Sequence, residues 1–158
     1  MIEIRDLQLV LPSFSLGPLN LRVEPSSFFA LMGPTGSGKT LLLEMIAGLV
    51  APGSGAISVN GKNITRLPPE KRRMGLVYQD HALFPHLSVF DNIVYGQRYH
   101  RIGNGDGERY AHELMEMLDI SSLAHRIPAN LSGGEKQRTA LARALADAGR
   151  SHQRAAVV

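Results

Sequence analysis

The sequence predicts an α/β fold in which antiparallel strands and a glycine-rich loop precede a mostly helical second half. Apolar residues alternate over residues 1–11 (MIEIRDLQLVL) and 19–24 (LNLRVE), which is the period of strands with one solvated face. Residues 33–40 (GPTGSGKT) follow a short apolar run and precede a segment of helical period. From residue 86 onward, the apolar spacing is that of helices.

Composition places the chain among globular proteins. Its 158 residues are 44% hydrophobic with a net charge of +3, enough for one domain with a core. It has no cysteine, which excludes disulfides and thiolate metal sites, and its N-terminus lacks a signal-peptide pattern. Residues 41–50 are too short to span a bilayer, which takes about 20 residues. The lack of cysteine and of a signal-peptide pattern predicts a cytoplasmic chain. The one tight basic run, residues 71–73, is interpreted as a solvated loop, so we do not expect the chain to bind nucleic acid.

The elements of the first half follow from local patterns. Residues 28–32 (FFALM) form an unbroken apolar run, which predicts a central strand buried on both faces. The helical period of LLLEMIAGLV predicts a helix that ends at Ala51, before Pro52. Asn60 and Gly61 separate two short apolar segments and predict a β-hairpin, because both residues tolerate a positive φ.

In the second half, one short strand is followed by helices. Residues 73–80 (RMGLVYQD) predict the strand, and residues 88–100 and 107–120 predict two helices separated by the linker IGNGDG. A further helix follows LSGGEKQR, whereas residues 150–158 (RSHQRAAVV) have no apolar period.

The glycine-rich loop, residues 33–40, matches the pattern GxxxxGK[ST]. Its glycines let backbone N–H groups turn toward phosphate oxygens, and the helix that begins near Lys39 directs its positive end to the same place. Lys39 is expected to reach the β and γ phosphates, and the Thr40 hydroxyl is expected to bind Mg²⁺. The alternative is an ordinary glycine turn between a strand and a helix.

Two further signals are ambiguous when taken singly. Gln79 lies at the end of an apolar strand, where ligands of α/β sheets gather, but such a glutamine is usually only a solvated side chain. Ser132 and Glu135 form an S-x-x-E capping box that would start a helix in any protein. Two glycines in the first turn weaken that helix, which suggests that a backbone or a phosphate approaches its end closely.

Together, GPTGSGKT, LVYQD and LSGGEKQRTALARALA resemble, in this order, the motifs of the ATP-binding cassette (ABC) ATPases, over nearly the whole chain up to about Ala146. The stretch LPPEKRRMGLVYQDHALFPHLSVFDNI resembles the importer branch, and the molybdate and tungstate type most of all. The resemblance implies a P-loop NTPase core with an antiparallel β subdomain and a helical signature subdomain. Residues 1–149 would form a partial ABC ATPase domain, divided into residues 1–85 and 86–149, with residues 150–158 as a non-family tail.

The resemblance also implies roles for single residues. Lys39 and Gln79 would act in ATP hydrolysis, Thr40 and Gln79 would hold Mg²⁺, and Phe14 would stack on adenine, although a plain core role for Phe14 is equally open. The signature segment, residues 131–135, would cap the γ-phosphate of ATP bound to a second ATPase subunit in a head-to-tail dimer. The full set of implied nucleotide-binding residues is Phe14, Gly33, Pro34, Thr35, Gly36, Ser37, Gly38, Lys39, Thr40, Leu41, Leu131, Ser132, Gly133, Gly134 and Glu135.

The same resemblance implies partners and a location. The chain would work beneath membrane permease subunits, at the inner face of the cell membrane, and couple ATP hydrolysis to import. An ABC ATPase of the DNA-repair or translation type is less favoured, because LFPHLSVFDNI resembles the importer subdomain.

Several family motifs are not found in these 158 residues: the Walker B strand ending in Asp-Glu, the D-loop and the switch histidine. We therefore expect a P-loop core that lacks its Walker B half, and whether the chain is an enzyme stays open. The codons of residues 150–158, read one nucleotide later, permit an apolar strand ending in an acid. The alternative hypothesis is a truncated or frameshifted fragment that binds nucleotide at most and does not hydrolyse it.

Overall fold

Residues 1–72, 74–99, 106–148 and 155–157 are described by the structure, a computed structural model. The chain divides into two units, Met1–Arg72 and Arg73–Val158, which are referred to as unit 1 and unit 2. The predicted linker IGNGDG falls mostly on residues 100–105, which lie outside the described residues. No helix in the described ranges is both long enough and apolar enough to cross a membrane.

Unit 1 contains a four-stranded antiparallel sheet, which confirms the two predicted N-terminal strands. Its strand order is β2-β1-β3-β4, with β1 at Ile2–Leu11, β2 at Phe14–Val23, β3 at Ser54–Val59 and β4 at Lys62–Asn63. The register of β1 shifts between Ile4 and Leu7, beside Asp6 with its φ of 47°. This irregularity explains why Ile4 and Leu7 are both buried although they are three residues apart.

The predicted hairpin turn is confirmed at Asn60 and Gly61. Their φ values are 48° and 77°, so both residues are left-handed, as in the type I′ turns that connect two-residue hairpins. The turn joins β3 to β4, with Val59 paired to Lys62.

Helix α1, Lys39–Ala47, starts where the sequence predicts and ends four residues early. Gly48 has a φ of 90°, and its N–H donates to the Glu44 carbonyl at 2.8 Å, as do the N–H groups of Leu49 and Val50 at 2.9 and 3.4 Å. The predicted end at Ala51 is therefore wrong, because a left-handed glycine closes the helix before the proline is reached.

The predicted central strand at residues 28–32 is also wrong. These residues form no strand, and Phe28 and Met32 are 96% and 87% exposed. A strand requires a neighbour that pairs with its backbone N–H and C=O groups, and within the described ranges no segment pairs with residues 28–32. The apolar composition alone was not sufficient to make this segment a strand.

The predicted solvated loop at residues 71–73 requires a correction at Arg72. Residues 69–72 form the short helix α2, Pro69–Arg72, and Arg72 is only 3% exposed, whereas Lys71 is exposed. Arg73 lies outside the described residues.

Unit 2 is mostly helical, as predicted. It contains β5 at Gly75–Val77, α3 at Val89–Tyr99, α4 at Asp106–Met117 and α5 at Gly133–Ala148, with short turns at Ser121–Leu123 and Pro128–Asn130. Apolar faces of the three helices share one core, whose fully or nearly fully buried members include Val89, Ile93, Leu114, Met115, Ile120 and Ala142.

Strand β5 lies against α5 and pairs with a strand from the end of the chain. A Cβ on Gly75 would lie 2.5 Å from the Ala144 carbonyl oxygen, so the close approach of β5 to α5 depends on a glycine there. Ala155–Val157 forms β6, which pairs in parallel with β5 and aligns Gly75 with Ala155. The rest of the predicted tail, residues 150–154 and 158, lies outside the described residues.

Candidate functional site

The glycine-rich loop has the backbone that the motif predicts. Gly36 and Gly38 have φ values of 81° and 88°, in the left-handed region that favours glycine. The Ser37 N–H donates to the Pro34 carbonyl at 3.2 Å, which closes a tight turn. Residues 33–36 are exposed, so the loop is open to a ligand from solvent.

The Lys39 ammonium lies inside this loop. It donates to the carbonyl oxygens of Gly33 and Pro34 at 2.9 and 2.8 Å, and to the Ser37 hydroxyl at 3.5 Å. No acidic residue lies in the first turn of α1, and Gly38 has no side chain to cap the helix. A cation therefore stands beside the positive end of a helix, which is an arrangement suited to an anion such as phosphate.

Phe14 lies against the glycine-rich loop. A Cβ on Gly38 would lie 2.9 Å from the Phe14 Cζ atom and 3.0 Å from a methyl group of Leu16. Any residue larger than glycine at position 38 would displace the ring. Phe14 is half-buried, so part of its surface faces solvent beside the glycine-rich loop. Its stacking on adenine stays a prediction.

The two predicted Mg²⁺ ligands fall in different units. Thr40 is exposed at the start of α1 in unit 1, followed by the half-buried Leu41. Gln79 is exposed in unit 2, two residues beyond β5, in a turn closed by the His81 N–H and the Tyr78 carbonyl at 2.9 Å. In the described part of the chain, no group of three His, Cys, Asp or Glu side chains could hold a metal ion. Both side chains carry an oxygen atom, which is the kind of ligand that Mg²⁺ takes, and their binding of Mg²⁺ stays a prediction.

The segment after Gln79 is held by Arg143 of α5, a residue that sequence reasoning did not single out. The guanidinium donates to the carbonyl oxygens of Ala82 and His81 at 2.8 and 3.2 Å and lies 5.4 Å from the centre of the Phe84 ring. His81 and Ala82 have φ values of 64° and 42°, which are uncommon for residues other than glycine. Burial lowers the pKa of Arg143, and the nearby Asp147 carboxylate partly offsets that effect.

The signature segment forms the predicted capping box. The Ser132 N–H donates to the Glu135 carboxylate at 2.6 Å, and the Glu135 N–H donates to the Ser132 hydroxyl at 3.3 Å. The hydrogen bond from the Ser132 backbone, followed by the one from its hydroxyl, lowers the pKa of Glu135. Leu131 is buried, whereas residues 132–134 are exposed.

Open space lies beside the two signature glycines. A Cβ on Gly133 would meet no atom within 4 Å, and one on Gly134 would meet only the Arg138 guanidinium at 3.7 Å. Gly133 begins α5, and Arg143 follows it by ten residues, or about 15 Å along the helix axis. The signature segment therefore lies at the start of α5, well separated along the helix axis from Arg143.

A comparison with solved structures identifies the fold. A solved structure described as a dimeric post-hydrolysis state of the ATP-binding cassette MJ0796, bound to ADP and Pi, has a TM-score of 0.80 and 28% identity. That match covers 93% of this chain and 70% of the other. The fold is therefore that of an ATP-binding cassette, which confirms the predicted fold class.

The family follows from the sequence comparisons. The ABC transporter family model matches residues 16–150, so the chain belongs to this family, as the motifs predicted. The molybdate/tungstate import ATP-binding protein WtpC of Pyrococcus abyssi is 43% identical over 145 residues, covering 92% of this chain and 42% of that protein. WtpC of Thermococcus kodakarensis is 50% identical over 133 residues, which cover 84% of this chain and 40% of that protein. The sulfate/thiosulfate import ATP-binding protein CysA of Mesostigma viride is 46% identical over 132 residues, which cover 84% of this chain and 38% of that protein.

Proposed function

We propose that this chain is the ATP-binding part of an ABC importer for molybdate, tungstate or another small anion, and that it couples ATP hydrolysis to transport. The observation that carries the proposal is the Lys39 ammonium inside an open glycine-rich loop at the start of α1. The names of the relatives support an import role and favour an oxyanion, since they include both molybdate/tungstate and sulfate importers. The relatives also include an Fe(3+) import protein at 43% identity, which is below the 50% identity of WtpC of Thermococcus kodakarensis, so an oxyanion is the cargo that we propose.

In this proposal, the glycine-rich loop and Lys39 bind the phosphates of ATP. Thr40 and Gln79 supply oxygen ligands to Mg²⁺, which neutralises phosphate charge when it is bound. Phe14 covers the adenine, because its ring lies directly against Gly38 of the loop.

The partners in this proposal are membrane permease subunits and a second ATPase subunit. The exposed signature residues with open space beside Gly133 are suited to meet a nucleotide held by another subunit. The dimer named in the description of the solved cassette supports a paired arrangement. The chain would then act in the cytoplasm, on the inner face of the cell membrane.

A second candidate function is nucleotide binding without turnover. The residues that bind phosphate in this proposal, the glycine-rich loop and Lys39, do not themselves supply a carboxylate to orient an attacking water. In this second candidate, ATP would occupy the loop and remain intact.

ATP titration with Mg²⁺ tests the phosphate site. Lys39→Ala should weaken ATP binding about 100-fold, because the charge-assisted hydrogen bonds of an ammonium to phosphate contribute about 1.5–3 kcal/mol each. Lys62→Ala, at an exposed lysine of β4, is the matched control and should leave affinity unchanged. Equal ATP affinity in wild type and Lys39→Ala would show that the phosphate site is elsewhere. Phosphate release measured on the same samples separates hydrolysis from binding alone.

A further inference from the structure

Arg72 is a buried arginine whose hydrogen bonds go to backbone carbonyl groups. Its guanidinium donates from Nη1 to the carbonyl oxygens of Met45 and Ile46, at 2.7 and 2.9 Å. It also donates from Nε to Leu67 at 2.7 Å and from Nη2 to Thr65 at 2.8 Å. The residue is 3% exposed, and burial lowers its pKa.

Two of these carbonyl groups belong to the last turn of α1. The last four carbonyl groups of a helix have no partner within the helix, and when they are buried they need a donor from elsewhere. Arg72 supplies that donor to Met45 and Ile46 from 27 and 26 residues further along the chain. The last turn of α1 contains no basic residue of its own, so Arg72 also brings a cation to the negative end of the helix dipole.

Gly48 leaves the room that this arrangement needs. A Cβ at position 48 would lie 2.5 Å from Arg72 Nε and 2.8 Å from Cζ. The same glycine, with its φ of 90°, ends the helix. Gly48 therefore both ends the helix and leaves room for the Arg72 side chain. The Arg72 guanidinium joins the end of α1 to the turn at residues 65–67.

The opposite end of α1 carries the phosphate site. The helix has nine residues and is about 13.5 Å long, which is too short to be stable in isolation, so tertiary contacts set its position. Lys39 and Thr40 lie in its first turn, and Arg72 binds its last turn. We propose that Arg72 is a positioning residue for the phosphate site: by fixing the C-terminal end of α1, it directs the N-terminal end toward the phosphates.

This inference rests on the proposed function, because it assigns Arg72 a part in phosphate binding without contact to the ligand. Removal of the guanidinium leaves buried carbonyl groups without donors, which costs free energy until the last turn moves to reach water. Because α1 is short, such a movement would displace the donors of its first turn. A loss equivalent to one charge-assisted hydrogen bond corresponds to about tenfold in affinity.

The test compares Arg72→Met, which keeps side-chain length and removes every donor, with Arg72→Lys, which keeps the charge on one donor group. Affinity is measured on the full chain for ATP and for tripolyphosphate, which carries phosphates without a base. Arg72→Met should lose about tenfold for both ligands, and Arg72→Lys should lose less. Lys62→Ala, at the exposed lysine of β4, is the control and should bind both ligands as wild type does.

A stability control separates positioning from general destabilisation. Ile57→Val and Ile57→Ala remove carbon atoms from a fully buried side chain of the unit 1 sheet, the first a little and the second more. Their melting temperatures should therefore lie above and below that of Arg72→Met. If they weaken tripolyphosphate binding as much as Arg72→Met at equal melting temperature, Arg72 only stabilises the fold and the inference fails. The inference also fails if Arg72→Met binds both ligands as wild type does. If wild type itself binds neither ligand, the proposed function fails, and the inference with it.

Discussion

Replacement of Asn92 should destabilise unit 2 strongly, because this side chain fixes the segment that leads from β5 into α3. Asn92 is completely buried. Its carbonyl oxygen accepts the Phe84 N–H at 2.8 Å, and its amide donates to the carbonyl groups of Phe84, Leu87 and Ser88 at 3.2, 3.1 and 2.9 Å. One side chain therefore satisfies four hydrogen-bonding contacts of the loop backbone.

The expected loss of stability follows from these contacts. A side-chain amide has two N–H groups, so it makes at most two full donated hydrogen bonds in addition to the one that its oxygen accepts. At about 1 kcal/mol for each bond, the loss is about 3 kcal/mol for Asn92→Ala. Asn92→Asp keeps the shape but turns a carboxylate oxygen toward three carbonyl oxygens. The Phe84 N–H still donates to one carboxylate oxygen, but the other is buried against carbonyl oxygens without a donor, so this variant should lose about 4 kcal/mol or more at neutral pH.

Urea denaturation of the full chain measures both changes. With an m value of about 2 kcal/mol/M, Asn92→Ala should lower the midpoint by about 1.5 M. Burial should raise the pKa of the introduced aspartic acid, so the deficit of Asn92→Asp should shrink as pH falls and the carboxyl takes up a proton. Asn130→Ala, at an exposed asparagine, is the control and should change stability by less than about 0.5 kcal/mol. The reasoning is refuted if Asn92→Asp is milder than Asn92→Ala at neutral pH.

Two other predictions concern α5. Gly75→Ala should lower the unfolding free energy by about 1–3 kcal/mol, because the new methyl group would lie 2.5 Å from the Ala144 carbonyl oxygen and force β5 away from the helix. Gly133→Ala meets open space and should raise it by up to about 1 kcal/mol, so thermal unfolding that ranks the two variants the other way would contradict the packing of β5 on α5. The lowered pKa of Glu135 means that its capping contribution is present above the ordinary glutamate pKa and is lost as pH falls through the lowered value. Glu135→Gln keeps an acceptor for the Ser132 N–H and should remove this pH dependence, which equilibrium unfolding followed across the acid range would show; an unchanged pH profile would mean that another group causes it.

Local signals in the sequence predicted the parts of the fold whose chemistry is contained within a few residues. The Asn60–Gly61 turn, the Ser132–Glu135 capping box and the start of α1 at Lys39 are all as predicted. Each depends on backbone preferences and on hydrogen bonds between near neighbours, which are the same in any protein. The order of the motifs likewise predicted the family, which the comparisons confirm.

The end of α1 was predicted wrongly because two local signals for it lie close together in the sequence. Gly48 and Pro52 are both able to end α1, and the sequence predicted the later stop. The structure ends the helix at Ala47, because Gly48 takes a left-handed conformation and leaves room for the Arg72 guanidinium. The choice depends on a side chain 24 positions away, which a local pattern does not contain.

The sequence by itself determined the glycine-rich loop, the start of its helix and the signature cap, whereas the tertiary structure alone decided the state of residues 28–32 and of Arg72. An apolar run becomes a strand only if another segment pairs with its backbone, and none of the described segments pairs with residues 28–32. A basic run is solvated unless carbonyl groups from distant segments surround one of its members, as Met45, Ile46, Thr65 and Leu67 surround Arg72. Both outcomes depend on partners that are remote in the chain, so the physical cause lies in long-range pairing and burial rather than in the residues themselves.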